Sequence, residues 1–197
     1  ADEIKALGNV KGIVLSGGPH SVYEKDAFVC DPRIFNLGIP VLGICYGMQY
    51  MAHITGGKVE GSEIKEYGKK EITVSKSILF KDTPKEQNVW MSHGDKVTAM
   101  GEGFVAIASS EHTPIAAMQN EARNLYAVQF HPEVQHSVYG NQILRNFVFE
   151  IAKANPNWTM DDYIGYQVKQ IKEKVGNSKV LMGISGGVDS SVAAVLI

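Results

Sequence analysis

Cysteine is scarce in this chain: there are two among 197 residues, Cys30 and Cys45. A pair is too few for the bridge framework that holds small secreted domains together, and a free thiol suits a reducing, cytoplasmic setting. Long apolar runs are missing as well, and nothing approaches the roughly 20 residues of a membrane helix. Neither sign of charge is in excess, with 19 basic against 21 acidic residues and a formal net charge of −2. No electrostatic footprint for nucleic acid or an anionic membrane follows, so neither is expected as a partner. The opening Ala1-Asp2-Glu3 lacks the basic and apolar run of a signal peptide. Repeats, low-complexity tracts and the His/Cys spacings of a zinc site are absent, so no metal ligands are assigned in the sequence itself. What remains has a globular composition, 44% hydrophobic and 20% charged, with length for one domain plus part of another.

The most informative stretch is residues 39–51, IPVLGICYGMQYM. Ile39, Val41, Leu42 and Ile44 suit a buried strand of a parallel sheet, and a helix-compatible segment follows from Tyr46 to Ile54. Cys45 stands at the junction, with Gly43 and Gly47 on either side. This is the geometry of a nucleophile elbow with cysteine in the position serine holds in hydrolases. The helix N-terminus favours a thiolate at Cys45, and the N–H of Tyr46 is free to stabilise an oxyanion.

Around this element the pattern is α/β. Residues 2–8 read as a helix end, 12–15 as a short strand followed by the loop Ser16-Gly17-Gly18-Pro19, and 31–37 as a short helix. From 58 to 119 the texture turns to short β segments at 71–74, 88–91, 104–109 and 115–119, with Met91-Ser92-His93-Gly94-Asp95 as a turn between two of them. Residues 125–130 form another buried strand, ending in His131-Pro132-Glu133. In extended backbone His131 and Glu133 share a side, and Pro132 stiffens the pair. A carboxylate beside an imidazole fixes its tautomer and stabilises the imidazolium, which supplies a base and its orienter for Cys45. The other histidines, His20, His53, His112 and His136, read as surface or core residues.

An amphipathic helix over 139–152 leads to the breaker Ala154-Asn155-Pro156-Asn157, the clearest boundary in the chain. The domain division is therefore 1–153 and 154–197. A second helix, capped by Thr159 with Asp161 and Asp162 in its first turn, runs to Val175. A strand is predicted over 179–184, then the loop Ser185-Gly186-Gly187-Val188-Asp189-Ser190-Ser191. A Ser/Gly-rich loop between strand and helix N-terminus is an anion cradle, without the Gly-Lys-Ser/Thr of a Walker A loop.

Two sets of residues are specific enough to carry a family resemblance. Gly43-Ile44-Cys45-Tyr46-Gly47-Met48-Gln49, together with Gln129-Phe130-His131-Pro132-Glu133, resembles the class I, triad-type glutamine amidotransferases. Ser185-Gly186-Gly187-Val188-Asp189-Ser190 resembles the pyrophosphate loop of the ATP pyrophosphatase superfamily. These modules in this order, joined through residues 90–97, are similar to the two-domain GMP synthase family. The resemblance implies a flavodoxin-like, open mixed and largely parallel sheet flanked by helices, followed by the first strand and helices of a second α/β nucleotide-binding domain. It implies Cys45 as nucleophile on the glutamine amide, His131 as proton relay, Glu133 as its orienter and Gly18 with Tyr46 as oxyanion donors. Gly47 and Gln49 would lie near the glutamine pocket, and Ser92, His93 and Asp95 would serve communication between the modules. Residues 185–191 would hold the β,γ-pyrophosphate of ATP with Mg²⁺, and ammonia from the first module would aminate adenylylated XMP to GMP. It further implies a strand and helix ahead of Ala1, most of the second module beyond Ile197, and a homodimer formed through that absent region. The chain then reads as a fragment cut at both ends, unable to aminate XMP as it stands. A stand-alone cysteine hydrolase or peptidase would use the same elbow but not residues 185–191, a non-catalytic docking domain would not need the triad, and an amidotransferase with another acceptor stays open.

Overall fold

The apolar runs at 41–44 and 125–128 are buried at every position, which puts them in the middle of a sheet. The computed structural model describes residues 1–156 and 160–197, without the side chains of Glu63, Asp161 and Asp162. Seven strands are present among them: β1 (Ile13–Leu15), β2 (Val41–Ile44), β3 (Lys58–Val74), β4 (Glu86–Ala99), β5 (Val105–Ser109), β6 (Ala117–Asn120) and β7 (Leu125–Val128). They form one sheet in the order β1-β2-β7-β6-β5-β3-β4. Helices α1 (Asp2–Ala6), α2 (Tyr46–Ile54), α3 (Gly140–Arg145), α4 (Met160–Val175) and α5 (Val188–Leu196) complete the described elements, with 3-10 helices at Pro32–Asn36, Ile78–Phe80 and Glu121–Arg123 and a π-helical continuation of α3 over Asn146–Ile151. The described residues divide into two units, Ala1–Ala154 and Asn155–Ile197.

Side-chain alternation along the central strands feeds two cores, one on each face of the sheet. Val41, Leu125, Ala127 and Met118 join Met48, Met51 and Ala52 of α2 in one. Leu42, Ile44, Tyr126, Val128 and Ala117 join Ile143 of α3 and Phe147 in the other. A strand buried on both faces needs apolar residues at consecutive positions, which is why these runs lack a period of two.

The sheet is mixed and flanked by helices, as expected, but it corrects the expectation of a largely parallel arrangement. Parallel pairing is confined to β1–β2 and β2–β7, the strands that bear the elbow and lead to His131. The other pairings, β7–β6, β6–β5, β5–β3 and β3–β4, are antiparallel; all but β5–β3 join strands consecutive in the chain, which need no helical crossover. Strands β3 and β4 are 17 and 14 residues long, far beyond the short segments read from the sequence. Ser92-His93-Gly94-Asp95 lies inside β4, not in a turn. Inward positions Gln87, Val89, Met91 and His93 are all buried, so the period of two continues where the apolar residues stop. His93 stands opposite Glu66 in the β3–β4 register.

In the second unit, residues 179–184 are not in a strand, contrary to expectation. A strand needs a neighbour for its backbone groups, whereas α4 and α5 close their hydrogen bonds internally. Val180, Leu181 and Ile184 are exposed. The cap expected at Thr159, the carboxylates of Asp161 and Asp162, and Asn157 of the boundary lie outside the described residues.

Candidate active site

The elbow is set by backbone contact. A Cβ on Gly43 would stand 2.7 Å from the carbonyl carbon and oxygen of Gly47 and 2.8 Å from the Met48 nitrogen; on Gly47 it would stand 2.1 Å from the Leu15 oxygen. Only glycine lets α2 lie this close to β2 on one side and β1 on the other. Between them Cys45 has φ 52° and ψ −107°, a conformation costly for any residue with a side chain. It is held there because the Cys45 N–H donates to the Val128 carbonyl at 2.8 Å while its own carbonyl accepts from the N–H groups of Met48 and Gln49 at 3.0 and 3.1 Å.

The sulfur is buried and contacted from two strands. The thiol faces the Ser92 carbonyl of β4 at 3.7 Å, and the Gln129 amide Nε2 points at the sulfur, also at 3.7 Å. Gln129 is fully buried, and its Oε1 accepts from Gln49 Nε2 at 3.3 Å. Gln49 Nε2 also donates to the Asp95 carbonyl at 3.0 Å.

His131 reaches the same place from the end of β7. Its Nδ1 is 2.6 Å from Glu133 Oε1, which leaves Nε2 for the thiol. The nearby sulfur of Cys45 is the largest cause that raises its pKa to about 9; burial opposes this, and Glu133 adds to it. An imidazolium beside the sulfur is the protonated form of the base that the triad needs. The backbone of His131 is fastened to β4: its N–H donates to the Trp90 carbonyl at 2.9 Å, and its carbonyl accepts from Ser137 Oγ at 2.6 Å, which in turn accepts from the Trp90 N–H at 3.0 Å.

The sequence-derived residues thus divide by place. Cys45, His131 and Glu133 converge. Gly17 and Gly18 lie against them: Cβ atoms there would stand 3.2 Å from His131 Cε1 and 3.3 Å from the Tyr46 ring, respectively. The N–H of Tyr46, first residue of α2, is one that a helix leaves without an internal partner. A cavity of about 540 Å³ opens over Cys45, lined by Gly18, Ser21, Gln49, Lys65, His93 and Asp95 among others. Gly47 does not line it, and packs instead between α2 and β1, so its place is explained by close approach rather than by substrate contact. Ser21 and Tyr23 hydroxyls donate to the Asp95 carboxylate, which ties the loop after β1 to β4. Burial pushes the His93 pKa down. Its Nδ1 donates to the Asp95 carbonyl at 2.8 Å, so the 3.5 Å approach of Nε2 to Glu66 is a contact without a shared proton, and Nε2 is left without a hydrogen bond.

Sequence reasoning gave no role to Gln129 or Ser137. Gln129 had a readable mark, a polar residue two positions before His131 and therefore on the same side of an extended backbone. Ser137 had none, because its partners are backbone groups of a distant strand.

In the second unit, Ser185, Gly186 and Gly187 form the turn into α5, with Gly186 at φ +82°. Val188, Asp189, Ser190 and Ser191 are already in the first turn of that helix. Ser190 Oγ lies 3.1 Å from both Ser185 Oγ and the Gly187 carbonyl, and Ser191 Oγ donates to the same carbonyl at 2.9 Å. Among the described residues no cluster of three or more His, Cys, Asp or Glu could hold a metal ion. No described helix is long and apolar enough to cross a membrane.

Comparison with known proteins bears on both units. The family model for glutamine amidotransferase class-I matches residues 1–151, and that for NAD synthase matches 161–197. A GMP synthase [glutamine-hydrolyzing] of Geobacillus kaustophilus is 60% identical over all of this chain, which spans 39% of that protein's length. The corresponding protein of Ligilactobacillus salivarius is 56% identical, with 38% of its length spanned. Among solved structures, a GMP synthase subunit from Thermoplasma acidophilum is 34% identical over 76% of each chain, with a TM-score of 0.68. With more than half its length matched, and with the elbow and its partners in place, the chain belongs to the class-I glutamine amidotransferase family.

Proposed function

We propose that residues 1–153 form a glutaminase domain in which Cys45, His131 and Glu133 hydrolyse the side-chain amide of glutamine to glutamate and ammonia. The observation that carries this reading is the convergence of a strained, elbow-borne thiol with a His–Glu pair from a separate strand, beside an open cavity. With its proton on His131, the Cys45 thiolate attacks the amide carbon, and the oxygen takes up negative charge facing the N–H groups of Gly18 and Tyr46. His131 gives its proton to the departing nitrogen, ammonia leaves, and a γ-glutamyl thioester stays on Cys45. His131 then accepts a proton from water, whose oxygen attacks the thioester; the C–S bond breaks, His131 returns the proton to the sulfur, and glutamate is released. Glu133 holds the imidazole ring and stabilises its charged form.

The ammonia is destined for a second reaction. Residues 154–197 are read as a linker and the start of an ATP pyrophosphatase domain, in which residues 185–191 cradle the β,γ-pyrophosphate of ATP. Backbone N–H groups at the start of α5 and the hydroxyls of Ser185, Ser190 and Ser191 suit an anion of that size. Mg²⁺ is expected with the nucleotide. Asp189 would offer it one carboxylate, and an ion held mainly by phosphate and water needs no more. The names of the relatives support XMP as acceptor: ATP adenylylates it, and ammonia displaces AMP to give GMP. A free nucleophilic thiol fits a cytoplasmic setting, and the longer protein is expected to dimerise.

The test is labelling with a glutamine-mimicking electrophile followed by peptide mass mapping. Modification is expected at Cys45 and not at Cys30, although Cys30 is the exposed thiol of the two, and excess glutamine should block it. Labelling of Cys30 alone, or labelling that glutamine leaves unchanged, would remove the glutaminase reading.

A further inference from the structure

The cavity over Cys45 has a charge pattern that the triad does not use. Lys65 is the lysine or arginine among its lining residues. Its stem lies along Gly94: the site where a Gly94 Cβ would stand is 3.6 Å from Lys65 Cε, 3.7 Å from Cδ and 3.9 Å from Nζ. The register shift of β3 between Gly61 and Glu66 presents it there, with Ser62 Oγ donating to the Ile64 carbonyl at 2.6 Å within the irregular stretch. Glu66 next to it turns into the core and is spent on Ser110 and Thr113. Asp95, the carboxylate on the cavity wall, is taken up by Ser21 and Tyr23. Among the described residues Lys65 makes no ion pair. A cation at the wall of a substrate cavity, with its charge unspent, waits for an anion.

We propose that Lys65 recognises the α-carboxylate of the amino-acid substrate, and so selects free glutamine over an uncharged amide or a glutamine within a peptide. The inference rests on the glutamine reading above. Distance along β4 fits it. The Ser92 carbonyl touches the Cys45 sulfur, and Gly94, beside Lys65, lies two residues further on, about 6.6 Å by strand rise. An extended glutamine spans a comparable length from its reacting δ-carbon to its α-carboxylate. With the amide carbon at the thiol, the acid end falls at the ammonium. The pairing would also let the site reject side-chain amides of proteins, since a glutamine within a peptide carries no carboxylate at that atom and would leave the lysine unmatched.

The experiment compares two probes on the whole chain, a diazo-ketone analogue of L-glutamine and its α-methyl ester, by their rates of Cys45 labelling. The wild-type protein should prefer the acid. In Lys65→Met that preference should fall roughly ten- to hundred-fold, the range of a charge-assisted hydrogen bond, and Lys65→Arg should retain most of it. A Lys65→Met protein that keeps the wild-type preference overturns the assignment of the lysine alone. A wild-type protein that reacts with iodoacetamide at Cys45 but with neither glutamine probe overturns the glutamine reading, and the role of Lys65 with it.

Discussion

An imidazole keeps its proton above neutral pH only where something holds it, and at His131 the main holder is the thiol. Cys45 is the largest cause of the rise to about 9, ahead of Glu133, whose side chain is half exposed and therefore weakened by solvent. The folded pKa lies above the ordinary value of 6.5, so the stability contributed by the charged ring is complete below 6.5 and is lost as pH rises through about 9. Thermal stability should therefore fall between these limits, and Cys45→Ala should flatten that dependence. An NMR titration of the His131 ring should find the pKa lowered more by Cys45→Ala than by Glu133→Gln. The reverse order would mean that the carboxylate, not the sulfur, holds the proton. For the same reason Glu133→Gln should slow turnover by about ten- to a hundred-fold, less than the roughly 10⁴ of a buried orienting aspartate, with glutamine binding nearly intact.

At the scale of the element, the chemistry depends on how β2, β4 and β7 meet. The elbow was readable because its glycines, cysteine and flanking apolar residues are contiguous, and the clashes at Gly43 and Gly47 now supply the reason for the spacing. His131 and Glu133 were readable through Pro132 and the end of β7. What could not be read was β4, where the alternation passes from apolar residues to His93 and Gly94 and imitates a turn. A buried histidine opposite a buried glutamate becomes visible only once the two strands are paired. Ser137 belongs to the same hidden layer, as its single hydroxyl bridges the His131 carbonyl and the Trp90 N–H. Ser137→Ala would leave both backbone groups without that partner in a buried place, at a cost of about 1–3 kcal/mol. Because the bridge positions the base, Cys45 labelling at saturating glutamine mimic should also slow, while half-saturation changes little and Ser137→Thr restores the rate. A stability loss of that size with an unchanged labelling rate would reduce Ser137 to a structural residue.

For the whole molecule, the proposed reading gives the two units separate chemistries, and they were legible to different degrees. In the first, the residues of the proposed site, Cys45, His131 and Glu133, were legible, although its sheet is mainly antiparallel where a mixed, largely parallel one was expected. In the second, the anion loop was read from composition and stands at a helix N-terminus, but the strand before it is not formed. A helix needs only its own residues, while a strand is a property of two segments, so sequence pattern alone overstates it. Separate chemistries make separable lesions. In a protein of the relatives' full length, Cys45→Ala should abolish GMP formation driven by glutamine and leave formation from added ammonium salt nearly as in the wild type. Ser190→Ala, which removes the hydroxyl that touches Ser185 and the Gly187 carbonyl, should depress both routes by weakening ATP binding and should leave Cys45 labelling unchanged. The measurement is GMP formation from XMP and ATP with each nitrogen source, alongside labelling of the same samples. Loss of the ammonium route in Cys45→Ala would show that the thiol serves more than glutamine. Full activity in Ser190→Ala would take the nucleotide away from residues 185–191.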